Sequence, residues 1–207
     1  MKLFLASEGK HSDTIEKLKS FVNDNLSDKK VAYVVTAANG EFYSAWKASE
    51  SIKVIQPLFP KFDIVELENH RQLPVLQTIE AADILWVAGG YTGYLLYWMR
   101  RCGLAQKLPN LLDKGLVYVG SSAGSMACSH TQSASDWYLR EPEPGAELIP
   151  GLGLIDFEIY PHYDESLLPE IKKHWKKGKL ALLKDGEVIT KINNKITWLG
   201  EGRWLEI

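Results

Sequence analysis

The sequence has few cysteines and no long apolar run. Cys102 and Cys128 are its only cysteines and lack the C-x-x-C spacing, which argues against a disulfide framework and a zinc site. No apolar run approaches the length of a membrane-spanning helix. Charged residues interrupt Met1–Glu8 too soon for this stretch to be a signal peptide. We therefore expect a cytoplasmic protein that does not bind a membrane.

The signatures of nucleic-acid and nucleotide binding are also missing. The formal net charge is −2 with both signs mixed along the chain, so there is no basic footprint for nucleic acid. Neither a G-x-G-x-x-G fingerprint nor a P-loop occurs. The 207 residues, 45% of them hydrophobic, suffice for one well-buried domain, which we assign to residues 1–207.

Apolar, β-forming runs alternate with helical stretches over the first 120 residues. The predicted strands are Leu3–Ser7, Val31–Val35, Phe62–Leu67, Ile84–Ala88 and Leu116–Val119. One long amphipathic helix is predicted over Phe42–Leu58. Apolar strands separated by helices are typical of a parallel sheet covered on both faces, with the ligand beyond the carboxyl ends of the strands. The alternation in Glu187–Ile207 predicts a C-terminal β-meander.

The turn after the fifth strand carries the strongest chemical signal. Gly120-Ser121-Ser122-Ala123-Gly124 fits G-x-S-x-G, a sharp strand-to-helix turn that exposes its central serine. Ser122 would sit at a helix N-terminus, where the N–H of Ala123 could receive an oxyanion. Gly89 and Gly90 end another apolar strand, and we expect this loop to supply a second N–H. The alternative is an ordinary turn whose serine caps the helix.

A nucleophilic serine needs a neighbouring base. His162 follows the predicted strand Leu152–Tyr160 directly, so the fold would hold this side chain rigidly, and we predict that it is the base. His11 follows the first strand and is a second candidate on the same rim.

The base in turn needs a group that orients it, and two carboxylates compete for this place. Asp136 lies in the long polar loop after the turn, whereas Asp185 ends the predicted strand Leu180–Leu183. Each also has a structural interpretation, loop solvation for Asp136 and a turn for Asp185. We favour Asp185 because rigid elements hold catalytic geometry better than loops do.

The order of these motifs resembles the dipeptidase E (aspartyl dipeptidase) family of serine peptidases, within the class I glutamine amidotransferase-like superfamily. The similarity is densest at Val87–Leu96, Tyr118–Ala127 and Tyr160–Asp164. It implies a three-layer αβα sandwich with a mostly parallel sheet, and a serine nucleophile where amidotransferases carry cysteine. By position, Ser122 is then the nucleophile and His162 the base.

The same resemblance implies an oxyanion hole made by Gly90 and Ala123. The family offers two places for the acid of a triad, one in the loop after the turn and one in a Leu-x-Asp/Glu-Gly turn. Asp136 matches the first place and Asp185 the second, so the resemblance leaves both open.

The chain departs from the family pattern at two places that would contact substrate. Tyr91 replaces the asparagine that usually follows Gly-Gly, and residues 165–173 lack the arginine that would bind an acidic side chain. We expect Gly89, Tyr91, Arg140 and Lys172 to line the substrate site. A lysine cannot make the bidentate contact of an arginine, so we predict no strong preference for N-terminal aspartate.

These observations predict a serine hydrolase that cleaves a peptide or related amide bond of a small substrate through an acyl-enzyme. This chemistry requires no metal or organic cofactor. A non-catalytic binding module with the same fold is one alternative, and an esterase or amidase with a non-peptide substrate is another. For the oligomeric state, the assembly to be tested is a homodimer of this chain.

Overall fold

Ten strands are found in the computed structural model, which describes residues 1–23, 26–42, 44–139 and 142–207. The strands are β1 (Lys2–Ala6), β2 (Lys30–Val34), β3 (Lys61–Val65), β4 (Ile84–Val87), β5 (Val117–Ser121), β6 (Glu158–Tyr160), β7 (Lys179–Leu182), β8 (Val188–Ile192), β9 (Lys195–Leu199) and β10 (Arg203–Glu206).

Eight α-helices occur in the same described ranges, together with several 3₁₀ turns. The helices are α1 (Ser12–Phe21), α2 (Thr36–Glu41), α3 (Glu50–Ile55), α4 (Val75–Glu80), α5 (Thr92–Arg101), α6 (Leu104–Asp113), α7 (Ala123–Met126) and α8 (Leu168–His174). No helix of the described residues is long and apolar enough to cross a membrane.

The strands form two sheets. The main sheet has the order β3-β2-β4-β5-β1-β8-β9, in which β1 to β5 are parallel and β8 and β9 are antiparallel additions at one side. The small sheet has the order β10-β7-β6, with β6 and β7 parallel. The predicted mostly parallel α/β sheet is therefore confirmed.

Both faces of the main sheet are buried, because successive side chains of a strand point to opposite sides. In β4, Leu85 and Val87 pack with the side chains of α5 and α6, whereas Ile84 and Trp86 pack with those of α1 and α3. The sheet lies between two helical layers, which is the three-layer αβα sandwich predicted above.

Three predicted elements differ in the structure. The strand predicted over Leu152–Tyr160 is confined to β6, Glu158–Tyr160. The helix predicted over Phe42–Leu58 is broken: the Oγ of Ser49 accepts the N–H of Ser51 and starts α3 as a separate helix, which ends in a 3₁₀ turn at Gln56–Leu58. The C-terminal meander is confined to β8 and β9, because β10 leaves them and pairs with β7 in the small sheet.

Candidate active site

The G-x-S-x-G turn joins β5 to α7 and holds Ser122 in an unusual conformation. Ser122 has φ 50° and ψ −112°, and such sparsely populated backbone conformations cluster at functional sites. A Cβ on Gly120 would lie 2.7 Å from the carbonyl group of Gly124, and one on Gly124 would lie 2.2 Å from the carbonyl oxygen of Val87. Both glycines are therefore required by the close packing of the turn.

The two serines of the turn have different surroundings. The Oγ of Ser121 accepts the N–H of Gly9 at 2.8 Å, so this hydroxyl belongs to the backbone scaffold. The N–H of Ser122 points to the carbonyl oxygens of Ala6 at 3.1 Å and Ser7 at 3.0 Å. No described residue is hydrogen-bonded to the Oγ of Ser122, which faces a pocket that His162 also lines.

His162 and Asp185 form a close pair at the carboxyl ends of two adjacent parallel strands. His162 follows β6 and Asp185 follows β7, in a sheet where Tyr160 pairs with Leu182. The Nδ1 of His162 lies 2.6 Å from the Oδ1 of Asp185. Burial raises the pKa of Asp185, but the hydrogen bond and charge of His162 and the hydroxyl of Ser7 outweigh it and hold the pKa below its usual 3.8.

Ser7, a residue that sequence reasoning missed, connects this pair to the main sheet. Its fully buried Oγ accepts the N–H of His162 at 2.7 Å and lies 2.8 Å from the Oδ1 of Asp185 and 3.2 Å from the carbonyl oxygen of Leu183. The hydroxyl proton can be donated to either of these two oxygens. One side chain at the end of β1 thus fixes the backbone of His162 and contacts the carboxylate of Asp185.

A buried ion pair holds the turn that presents Asp185. Glu187 accepts the N–H of Lys184 at 2.9 Å and that of Glu201 at 3.0 Å, and Arg203 binds both of its carboxylate oxygens, at 2.6 and 2.9 Å. Removing one partner of such a pair leaves a buried charge uncompensated. The Arg203–Glu187 pair therefore stabilises the residues on both sides of Asp185.

The glycine loop after β4 lies beside the Ser122 turn. Gly90 has φ +129°, and a Cβ there would lie 2.2 Å from the carbonyl carbon of Ala37, so only glycine fits. No described residue accepts a hydrogen bond from the N–H of Gly90 or of Ala123. On the long loop after α7, Glu143 accepts the N–H groups of Gly93 and Tyr94, each at 2.9 Å, and fixes the first turn of α5.

The pocket over Ser122 has a volume of about 250 Å³. Gly89 and Tyr91 line it, and so do three charged residues that sequence reasoning had not selected: Glu8, Lys10 and Glu41. The Nζ of Lys10 lies 3.4 Å from the Oε1 of Glu8, so the pocket carries charges of both signs.

Asp136 and Lys172 are not among the residues that line the pocket over Ser122. Asp136 is exposed and accepts the N–H of Gly145 at 3.2 Å, away from His162. Lys172 is exposed on α8. Arg140 lies outside the described residues. The Nδ1 of His11 accepts the N–H of Asp13 and caps α1.

No group of three or more His, Cys, Asp or Glu side chains suited to a metal ion occurs in the described part of the chain.

A strained serine between a parallel strand and a helix, beside a His–Asp pair, defines a site of the serine-hydrolase type on an αβα sandwich. The sequence model of peptidase family S51 matches residues 3–199. The chain belongs to that family, which confirms the family resemblance of the motifs.

Individual relatives agree with this assignment. Peptidase E of Nostoc sp. is 31% identical over 74% of this chain and 60% of its own length. Peptidase E of Salmonella arizonae is 27% identical over 67% of this chain and 57% of its own length. The matched region thus spans about three fifths of these relatives. A solved structure from Listeria monocytogenes has a TM-score of 0.74 at 19% identity, over 95% of this chain and 96% of that one, and it supports the fold.

Proposed function

We propose that this chain is a serine peptidase that cleaves short peptides through an acyl-enzyme. The observation that carries the proposal is the His162–Asp185 pair, 2.6 Å apart, on the pocket into which the strained Ser122 is presented. Ser122 is the nucleophile, His162 the base and Asp185 the acid that orients it.

The ionisation of Asp185 determines which nitrogen of His162 acts as the base. A carboxylate only accepts hydrogen bonds, so the Nδ1 of His162 carries the proton that Asp185 binds. The Nε2 is then left with a lone pair for the hydroxyl proton of Ser122. His162 and Ser122 are not hydrogen-bonded to each other in the structure, and this contact commonly tightens only when substrate is bound.

The reaction follows from these positions. The Oγ of Ser122 attacks the scissile carbonyl while His162 accepts its proton, and the N–H groups of Gly90 and Ala123 bind the oxyanion. His162 then protonates the leaving amine, and a water molecule activated by His162 releases the acyl group. Asp185 stabilises the imidazolium that forms in both steps.

The charges of the pocket favour a substrate with both termini free. Glu8 and Glu41 suit an α-amino group, and the ammonium of Lys10 suits an α-carboxylate. Charges of both signs in about 250 Å³ match the two ends of a dipeptide more closely than the interior of a long chain. This is the reason for proposing dipeptides rather than esters or other amides.

Labelling with a fluorophosphonate probe tests the nucleophile. The wild type and the Ser121→Ala variant are expected to be labelled and to hydrolyse dipeptides, whereas Ser122→Ala should do neither. Ser121→Ala is a matched control because Ser121 lines the same pocket but its hydroxyl accepts the N–H of Gly9. Labelling that persists in Ser122→Ala would refute the assignment.

The same experiment distinguishes the alternatives. A folded wild type that neither reacts with the probe nor hydrolyses any dipeptide would be a binding module of the same fold. Labelling without dipeptide hydrolysis, together with turnover of aryl esters, would favour an esterase. The cytoplasmic location and the homodimer stay predictions, for cell fractionation and light scattering to test.

A further inference from the structure

A second cavity adjoins the pocket over Ser122. Its volume is about 320 Å³, and the mechanism proposed above does not use it. The cavity and the pocket share Glu41, Ser51 and Gly89 as lining residues, so the two spaces are immediate neighbours. We call this second cavity the apolar subsite.

The walls of the apolar subsite are mainly carbon. They include the side chains of Tyr33, Val35, Phe42, Trp46, Ile52 and Ala88. The indole N–H of Trp46 is bound by the Oε1 of Glu66 at 3.0 Å, which fixes the ring. Burial raises the pKa of Tyr33, whose side chain is 2% exposed, so this phenol stays neutral.

Charge at the apolar subsite disfavours an acidic occupant. None of the described residues that line it is a lysine or an arginine, and Glu41 stands where it meets the pocket over Ser122. Two cations stand close by without lining it: the Nζ of Lys47 lies 5.5 Å from the centroid of the Trp46 ring, and Lys10 lines the pocket over Ser122 instead. A substrate carboxylate in this cavity would be buried with no cation among the described residues of its wall.

We propose that the apolar subsite binds the side chain next to the carbonyl that Ser122 attacks, and that it selects large apolar or aromatic side chains. This inference rests on the proposed function. The position follows from Gly89, which lines both spaces and directly precedes Gly90, the proposed oxyanion donor. A group that enters past Gly89 is therefore attached close to the carbonyl carbon.

Rates with four dipeptides test the selection. Phe-Leu and Leu-Leu are expected to have kcat/KM about ten- to hundredfold above Ala-Leu, the range that apolar pockets achieve for small differences in side-chain size. Asp-Leu is expected to be the poorest substrate because the described wall of the apolar subsite is mainly carbon and holds no lysine or arginine. Equal values for Phe-Leu and Ala-Leu, or a preference for Asp-Leu, would overturn the subsite.

A pair of variants links the selection to this cavity. Ala48 lines the apolar subsite at an exposed position, so Ala48→Asp adds a carboxylate to its wall without removing core packing. The ratio of Phe-Leu to Ala-Leu should fall at least tenfold. Val54→Asp adds the same charge at an exposed position of α3 outside the cavity and should keep the wild-type ratio. An unchanged ratio in Ala48→Asp would contradict the proposal.

Binding to the Ser122→Ala variant separates this inference from the proposed function. Calorimetry should show Phe-Leu binding at least tenfold more tightly than Ala-Leu, and Ala48→Asp should abolish the difference. If no dipeptide is hydrolysed by the wild type but this binding preference is found, the peptidase assignment fails and the subsite stands. If dipeptides are hydrolysed without any binding preference, the subsite fails and the peptidase stands.

Discussion

Replacing Asp185 by asparagine is the most direct test of the proposed triad. Asparagine keeps the shape of the side chain, so the contacts with Ser7 and with the β7 turn can persist. What is lost is the negative charge 2.6 Å from the Nδ1 of His162. The variant therefore isolates the stabilisation of the imidazolium from the packing of the site.

The size of the effect can be estimated from the geometry. Two unit charges about 4 Å apart interact by about 4 kcal/mol at an effective dielectric constant of about 20. The side chain of Asp185 is 41% exposed, and solvent screening reduces this value. We take about 3 kcal/mol, and since 1.36 kcal/mol is a factor of ten, kcat should fall about a hundredfold or more.

Steady-state kinetics with one dipeptide measure this effect, and Asp136→Asn serves as the matched control. Asp136 contacts the N–H of Gly145 in an exposed loop, so its variant should keep kcat within a few-fold of wild type. Thermal melts of both variants check that the fold is intact. If Asp136→Asn loses a hundredfold while Asp185→Asn turns over normally, our choice of acid is refuted.

Four further outcomes are expected. Ser7→Ala should lower kcat more than it raises KM. It should also lower the free energy of unfolding by about 1–3 kcal/mol, because the buried N–H of His162 loses its acceptor. Unchanged kinetics would exclude a positioning role for Ser7. Gly90→Ala should abolish turnover and lower Tm, since its Cβ would lie 2.2 Å from the backbone of Ala37, and a fully active variant would contradict the loop geometry. Lys172→Ala should leave kcat/KM unchanged for every dipeptide. The pKa of Asp185 is lowered in the folded state, so the charge of this carboxylate stabilises the fold. The stabilisation is complete above the usual pKa of 3.8 and is lost as the pH falls through the lowered folded-state pKa. The unfolding free energies of wild type and Asp185→Asn, measured by urea titration, should therefore converge in acid.

Short-range sequence patterns were sufficient to select several residues of the candidate site. Ser122 and Gly90 could be predicted because each lies where an apolar strand meets a glycine-rich turn, and the reason is local packing. The choice of Asp185 as the partner of His162 followed from its place at a strand end. The structure brings these two side chains together because β6 and β7 are parallel neighbours.

Long-range contacts were beyond the reach of the sequence patterns. Nothing near Ser7 indicates that its hydroxyl contacts residues 155 and 178 positions away. The alternation of β10 matched a meander, but the bidentate pair between Arg203 and Glu187 accompanies its pairing with β7 in the small sheet instead. Lys172 was selected because it is a cation in the segment where the family carries an arginine, and the structure leaves it exposed on α8.

The wide separation of the site residues along the chain has a consequence for biosynthesis. Ser7 is made early, and its partners His162 and Asp185 follow 155 and 178 residues later. Arg203, which holds the turn of Asp185 through Glu187, is added later still. At roughly 5–20 residues per second, Ser122 leaves the ribosome several seconds before the groups that are proposed to activate it. If the proposed triad holds, we expect the nascent chain to lack peptidase activity until β10 has joined the small sheet.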